Sequence, residues 1–165
     1  GCGAPDEEFL KNFFQLKILR ESAVIPATKS DMSAGYDLVA AIDEPVTINP
    51  GEKSVLIGTG IALMVNHPNV ASFILPRSGT GHKQGLVMGN GTGLIDADYQ
   101  GELFVSACVR PGHEPVTVKP GERIAQLVFM PIVHPEQFGG FTIVDEFTHQ
   151  TDRGEGGFGS TGKGS

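Results

Sequence analysis

Short apolar runs separated by polar turn residues make up most of the chain from Leu16 onward. The runs recur roughly every 8–12 residues with proline and glycine between them, a spacing typical of the strands of an all-β protein. No window keeps a helical period for more than a couple of turns, so we expect at most one short helix. The best candidate is Ser78–Gln84, with Ser78 as its N-cap. The hydrophobic pattern therefore predicts an all-β fold.

An internal repeat indicates how some of these strands are arranged. Residues 44–53 read EPVTINPGEK and residues 114–123 read EPVTVKPGER. The Pro-Gly pair in each copy suits the centre of a type II turn, where glycine supplies the positive φ. Two copies are too few for a solenoid. We therefore predict two similar hairpins within one closed β structure such as a jelly roll.

The two ends of the chain lack this pattern. We expect residues 1–15 to be an N-terminal arm or a remnant of processing or cloning, 16–151 to be the β domain and 152–165 to be a C-terminal lid. The glycine-rich end buries too little to offset its ordering entropy, so its composition favours disorder. Phe158 among the glycines, with Arg153 ahead of it, suggests instead a lid that orders on a ligand.

Composition and charge narrow the functional classes. The chain has 165 residues, 39% of them apolar, and its two cysteines are too few for a disulfide framework. No apolar run approaches the ~20 residues of a membrane span and no secretory signal is visible, so we expect a soluble cytoplasmic protein without a membrane partner. The net charge of −7 argues against a nucleic-acid partner. A polyphosphate ligand would need local arginines and a cation to offset the repulsion.

Candidate chemistry is densest in residues 89–104, GNGTGLIDADYQGELF. The Asn90-Gly91 dipeptide suits a tight hairpin that needs positive φ. The alternating glycines would let a flat ligand approach the backbone closely. An ordinary glycine hairpin is the alternative interpretation.

The second half of this stretch carries the polar groups. We expect Leu94 and Ile95 to re-enter the core, and Asp96 and Asp98 to share one face if the chain is extended there. Tyr99 adds an aromatic ring with a polar tip. Solvated acids beside a half-buried aromatic residue are the alternative to a site.

Three further positions are candidates. Arg77 ends an apolar run, and its guanidinium with the backbone N–H groups of Ser78 and Gly79 could form an anion nest. Asp37 is either a strand-end acid with a role or a turn cap. Gln126, inside an apolar run, is either a structural amide or a ligand contact, because a buried amide must be hydrogen-bonded.

Five segments together resemble the signature motifs of the trimeric dUTP diphosphatases (dUTPases), in that family's order. They are AGYDL at 34–38, PRSG at 76–79, GNGTGLIDADYQG at 89–101, GERIAQLVF at 121–129 and RGEGGFGSTG at 153–162. The resemblance covers nearly the whole chain. It implies a distorted jelly-roll homotrimer that hydrolyses dUTP to dUMP and diphosphate, limiting uracil in DNA and supplying the thymidylate precursor.

The resemblance also implies catalytic roles. Asp96 would be the general base that activates water for attack on the α-phosphorus, and Gln126 would contact the α-phosphate. Asp37 would join the catalytic and metal-water network. Mg²⁺ would be held mainly by the substrate phosphates and water, as suits a hard cation.

The implied substrate-binding residues fall into three groups. The phosphates would contact Arg77, Ser78 and Gly79. The uracil and deoxyribose would contact Asn90, Gly93, Leu94, Ile95, Asp96, Tyr99 and Phe104, with Tyr99 leaving no space for a 2′-hydroxyl. The closing tail would contribute Arg153, Phe158, Gly159, Ser160 and Thr161.

Two other functions fit parts of this pattern. A dCTP deaminase of similar fold should lack the intact glycine-rich tail motif, which this chain has. A regulatory dUTP-binding protein without turnover is disfavoured by the presence of Asp37, Asp96 and Tyr99. A second, regulatory role beside catalysis stays open.

Overall fold

A computed structural model describes residues 6–159, which contain one α-helix and ten β-strands. The helix and the first five strands are α1 (Glu7–Phe13), β1 (Phe14–Ile18), β2 (Tyr36–Val39), β3 (Val46–Ile48), β4 (Val55–Val65) and β5 (Val70–Leu75). The remaining strands are β6 (Leu86–Met88), β7 (Gly93–Ile95), β8 (Glu102–Val109), β9 (Val116–Val118) and β10 (Arg123–Pro131). The prediction of a mainly β protein with one short helix is confirmed.

The strands form two four-stranded sheets and a two-stranded one. The orders are β1-β4-β8-β6, β2-β10-β5-β7 and β3-β9, and every strand pairing in them is antiparallel. Alternate residues of β8 enter the core, as expected for a strand with one buried face. The largest buried side chains of the core include Leu38, Ile48, Ile57, Ile61, Leu103 and Leu127.

The internal repeat is a pair of strands rather than two hairpins. β3 and β9, the equivalent strands of the two copies, pair with each other, and Thr47 lies opposite Thr117. The two hydroxyl oxygens are 2.8 Å apart. Gly51 and Gly121 have φ of 74° and 83°, so the predicted positive φ is confirmed. The prediction of separate hairpins is wrong, because each copy finds its partner strand in the other copy.

The helical segments differ from the prediction. α1 lies in the predicted arm, and its N-cap is Asp6, whose carboxylate accepts a hydrogen bond from the Phe9 N–H at 2.7 Å. In place of a helix over 78–84 there is a five-residue π-helical turn, Thr80–Gln84, whose N-cap is Gly79. Ser78 is therefore not the N-cap, and no side chain caps this turn. The Thr80 hydroxyl donates to the Arg77 carbonyl.

By their internal contacts, the residues divide into two units between Ile132 and Val133. The first contains α1 and all ten strands. In the second, the described residues 133–159 include a 3₁₀ turn, Pro135–Phe138, and none of them is buried. Among residues 6–159 no helix is both long and apolar enough to cross a membrane.

Candidate active site

The glycine stretch connects the two large sheets. β6 pairs with β8 in one sheet, whereas β7 pairs with β5 in the other, so residues 89–92 cross between sheets. The Gly91 N–H donates to the Met88 carbonyl at 3.0 Å, and Gly91 has a φ of 74°. The predicted positive φ is confirmed, but the predicted hairpin is wrong, because β6 and β7 are not hydrogen-bonded to each other.

A cleft of about 240 Å³ opens beside this crossover, and we call it the base cleft. Apart from Phe158 of the tail, its lining includes the residues that the family resemblance gave to uracil and deoxyribose: Asn90, Gly93, Leu94, Ile95, Asp96, Tyr99 and Phe104. Ile95 packs against the core as predicted. Leu94 does not re-enter the core, because its side chain is 63% exposed at the cleft.

The chain turns immediately after β7. The Tyr99 N–H donates to the Asp96 carbonyl at 3.1 Å, so Asp96 and Asp98 do not share one face of an extended strand. Asp96 lines the base cleft and Asp98 does not. The Tyr99 hydroxyl donates to the Glu102 carbonyl at 2.8 Å. A Cβ on Gly101 would come within 2.6 Å of the Tyr99 hydroxyl oxygen, so this ring position requires glycine there.

A second cleft, of about 360 Å³, gathers the residues expected at the phosphates, and we call it the phosphate cleft. Its lining contains Asp37, Arg77, Ser78, Gly79 and Gln126, together with Lys29, Ser33, Ala34 and Gly35. Two cationic side chains and one carboxylate line it, so its charge favours an anion.

Strand pairing brings these distant residues together. β10 lies between β2 and β5, and Gln126 pairs with Asp37 on one side and Leu75 on the other. The Gln126 amide donates to the Pro76 carbonyl at 3.0 Å, which satisfies a half-buried donor. A Cβ on Gly35 would overlap the Gln126 side-chain oxygen. The AGYDL and PRSG motifs therefore meet at one glutamine.

Asp37 is the acidic centre of the phosphate cleft. Its carboxylate oxygens lie 3.4 Å from Arg77 Nε and 3.6 Å from Arg123 Nη1. Arg77 is 30% exposed, so its guanidinium keeps donors available for a ligand. In the part of the chain that the structure describes, no three His, Cys, Asp or Glu residues come together as a metal site.

Sequence reasoning missed several lining residues. Lys29 and Ser33 lie in the polar segment before β2, and the only signal was their position just ahead of AGYDL. Ile74, Met88 and Glu102 line the base cleft without belonging to its expected set. Glu102 was detectable only as a charged residue at the start of an apolar run.

Glu102 is held by an ion pair with a residue far away in sequence. Its two carboxylate oxygens lie 2.6 and 2.8 Å from Arg20 Nη1 and Nη2. These hydrogen bonds lower the pKa of Glu102 below its ordinary value, against the opposing effect of burial, and the Gly60 N–H lowers it further. The same pairing raises the pKa of Arg20.

The expected tail residues belong to the second unit. The Arg153 Nε donates to the Gly156 carbonyl at 2.5 Å, which closes a local turn. Phe158 has a φ of 49° and a fully exposed side chain, and Gly159 has a φ of 80°. Ser160 and Thr161 lie outside the described residues.

Comparisons with known protein sequences point to one family. The family model for dUTPase matches residues 21–162. A deoxyuridine 5′-triphosphate nucleotidohydrolase of Idiomarina loihiensis is 54% identical over 143 residues, which is 87% of this chain and 90% of that one. One of the same name from Coxiella burnetii is 52% identical over 153 residues, covering 90% and 96% of the two chains.

Solved structures agree. The dUTPase of Staphylococcus bacteriophage 80alpha with dUPNHPP matches with a TM-score of 0.78 and 30% identity, over 92% of this chain and 99% of that one. A mutant dUTPase of phage phi11, described with a structural Mg(II) ion, matches with a TM-score of 0.69 and 27% identity, over 84% and 100% of the two chains. The chain belongs to the dUTPase family.

Proposed function

We propose that this protein hydrolyses dUTP to dUMP and diphosphate, thereby limiting uracil in DNA and supplying dUMP. The observation that carries the proposal is the sorting of the expected residues into two clefts. Apart from the tail residues, those expected for base and sugar line one cleft, and those expected for the phosphates line the other. Relatives that are more than half identical to this chain are named deoxyuridine 5′-triphosphate nucleotidohydrolases.

In the base cleft, the backbone of residues 93–96 would read the edge of uracil, with Asn90 and Phe104 beside it. Gly93 packs closely, since a Cβ there would lie 3.3 Å from Ile74 Cβ. This close packing leaves little room for a 5-methyl group or a wrong exocyclic group, so thymine and cytosine would be rejected. Tyr99 would pack against the deoxyribose and exclude a 2′-hydroxyl.

Asp96 would be the general base. It lines the base cleft with its side chain exposed, so a water can reach its carboxylate. The carboxylate would take a proton from that water as the oxygen attacks the α-phosphorus and the diphosphate leaves. Because a carboxylate is a weak base, positioning of the water would supply much of the rate enhancement.

In the phosphate cleft, Arg77 with Ser78 and Gly79 would bind the polyphosphate, and Gln126 would contact the α-phosphate. Asp37 fits a role toward Mg²⁺ through a bound water, because its half-buried carboxylate supplies hard oxygen donors. The phosphates and waters would supply the other ligands. Bound Mg²⁺ would offset the charge of the triphosphate.

We also propose the family's distorted jelly roll and homotrimer, with a site shared between subunits. The exposed apolar side chains of the second unit, Phe138, Phe141, Ile143 and Phe147, support this assembly, because such a surface is rarely left uncovered. Residues 152–165 would close over the bound nucleotide. Arg153, Gly159, Ser160 and Thr161 would hold the γ-phosphate end, and Phe158 would stack on uracil.

Diphosphate release from dUTP, dCTP, dTTP and UTP in the presence of Mg²⁺ tests the activity. We expect release from dUTP and little from the other three. Deamination of dCTP would favour the deaminase instead, and tight dUTP binding without turnover would favour the regulatory protein. Light scattering of the purified protein tests the trimer.

A further inference from the structure

The ion pair between Arg20 and Glu102 is partly exposed, yet several hydrogen bonds hold both side chains in place. Both carboxylate oxygens bond to the guanidinium fork, and the Arg20 Nε donates to the Ala41 carbonyl at 2.9 Å. The Gly60 N–H also donates to the carboxylate at 3.4 Å. A Cβ on Gly58 would overlap both charged groups. A bidentate pair enclosed in this way fixes the relative orientation of the two side chains as well as the distance between them.

Glu102 connects this pair to the base cleft. Its side chain holds Arg20, while its backbone carbonyl accepts the hydrogen bond from the Tyr99 hydroxyl. The residue is also part of the cleft lining. A shift of the Glu102 backbone would therefore move the acceptor that holds the Tyr99 ring.

We propose that Arg20 and Glu102 are positioning residues that fix Tyr99 and thereby set how strongly the base cleft rejects the ribose 2′-hydroxyl. This inference rests on the proposed dUTPase function and adds to it two residues that lie outside all five motif segments. Neither residue lines the phosphate cleft. Their effect reaches the substrate through the Tyr99 ring.

The exposure of Tyr99 explains why it needs such a support. Its side chain is 42% exposed, so packing alone holds it weakly. Its hydroxyl bonds to a carbonyl that belongs to the residue anchored by Arg20. Gly101, between them, makes room for the ring, because a Cβ there would lie 2.6 Å from the Tyr99 hydroxyl oxygen. Discrimination against one hydroxyl depends on a placement accurate to about 1 Å.

The test compares kcat/KM for UTP and dUTP in Glu102→Gln and Arg20→Lys. We expect the UTP/dUTP ratio to rise about two- to fivefold in both variants, the lower end of the coupling between neighbouring residues. The kcat for dUTP should change less than the ratio. The control is Thr59→Val, which removes the buried hydrogen bond from Thr59 to the Leu103 carbonyl on the same strand pair. It should lower stability without changing the ratio.

A double-mutant cycle separates positioning from general destabilisation. In a Tyr99→Phe background the hydroxyl bond is already absent, so adding Glu102→Gln should leave the ratio nearly unchanged. The chain has two tyrosines and no tryptophan, so ¹⁹F-labelled tyrosine gives two signals that Tyr36→Phe assigns. We expect Glu102→Gln to shift or broaden the Tyr99 signal and Thr59→Val to leave it unchanged.

The outcomes distinguish the two proposals. If the wild-type protein prefers dUTP but both pair variants keep its ratio and its Tyr99 signal, the positioning role is wrong and the proposed function stands. A full effect of Glu102→Gln in the Tyr99→Phe background would also overturn the positioning role. If the wild-type protein does not hydrolyse dUTP, the proposed function itself fails.

Discussion

The base cleft and the phosphate cleft are built in different ways. The base cleft takes all of its lining except Ile74 from one stretch, residues 88–104. The phosphate cleft takes its lining from three separated segments, 29–37, 77–79 and Gln126, which meet only when β10 pairs with β2 and β5. One cleft depends on local turn geometry, and the other depends on long-range strand pairing.

This difference suggests a division of labour. The base cleft offers backbone groups and close packing, which suit the discrimination of one flat base from another. The phosphate cleft offers guanidinium, amide and hydroxyl groups, which bind phosphates whatever base is attached. Substitutions in the first cleft should therefore change which nucleotide is used, and those in the second should affect all triphosphates alike.

The largest effect should come from Asp96→Asn. Asp96 is the exception to this division, because it lines the base cleft and yet is the proposed general base. We expect turnover of dUTP to fall by about 10²–10⁴, the usual effect of losing a general base. Nucleotide binding and folding should be retained. Asp98→Asn, outside the cleft lining, is the control and should keep near wild-type turnover. Near wild-type activity of Asp96→Asn would move the role to Asp98 or Asp37.

Removal of the tail after Thr151 should have the next largest effect. None of the described residues 152–159 is buried, so the shortened chain should keep its fold and stability. We expect kcat to fall about 10–100-fold, because groups that exclude water from the reacting centre are lost. Phe158→Ala should reproduce part of this loss.

Protease nicking provides the matching physical measurement for the tail. Cleavage within it should be fast without nucleotide and slow with a non-hydrolysable dUTP analogue and Mg²⁺. Unchanged turnover after truncation, together with no protection by the analogue, would rule out a closing lid.

Tyr99→Ala sharpens the comparison within the base cleft. Removing the ring should admit the ribose hydroxyl, so we expect the UTP/dUTP ratio of kcat/KM to rise about 10–30-fold. The value of kcat/KM for both substrates should fall, since both lose a packing contact. An unchanged ratio would make Tyr99 a packing residue only.

Gly35→Ala tests the phosphate cleft. The new methyl group would overlap the Gln126 side-chain oxygen and displace that amide from the cleft. We expect kcat/KM to fall about tenfold for dUTP and UTP alike, because a misplaced contact costs rate whatever the sugar. Gly81→Ala is the control, since its Cβ would have only ordinary contacts, the nearest at 3.7 Å. A changed UTP/dUTP ratio in Gly35→Ala would contradict the division between the clefts.

The sequence predicted local features better than pairings. The apolar spacing predicted the strands, and Asn90-Gly91 predicted a positive φ that Gly91 has. Apart from those of the tail, the residues that the motifs single out gather into two clefts. A turn signal, however, does not say which strand the chain pairs with next, and so a crossover between sheets was interpreted as a hairpin.

The missed features are long-range ones. The two EPVT repeats pair with each other rather than folding back locally, because a partner strand 70 residues away competes with the nearby one. Arg20 and Glu102 are 82 residues apart, and no sequence pattern around either residue indicates that they pair. Leu94 is apolar yet exposed, because its strand lies at a sheet edge beside a cleft.

The smallest effect should be on stability at low pH, where the two clefts again differ. The lowered pKa of Glu102 means that the unfolded chain binds its proton more readily than the folded protein does. The stabilisation is therefore complete above the ordinary glutamate pKa of 4.5 and disappears as the pH falls through the lower folded value. Arg20 is 37% exposed, so solvent screening limits the contribution to about 1 kcal/mol.

Urea unfolding of the wild type and Glu102→Gln, at equal protein concentration, measures this contribution. We expect the wild type to be more stable by about 1 kcal/mol at pH 7 and the difference to shrink as the pH falls below 4.5. Arg20→Gln should remove the same pH dependence, because it deletes the other half of the pair. Arg123→Gln should change stability less, since its contact with Asp37 in the phosphate cleft is 3.6 Å long and its side chain is 51% exposed. A stability difference that stays constant as the pH is lowered below 4.5 would assign the effect of Glu102→Gln to packing rather than to charge.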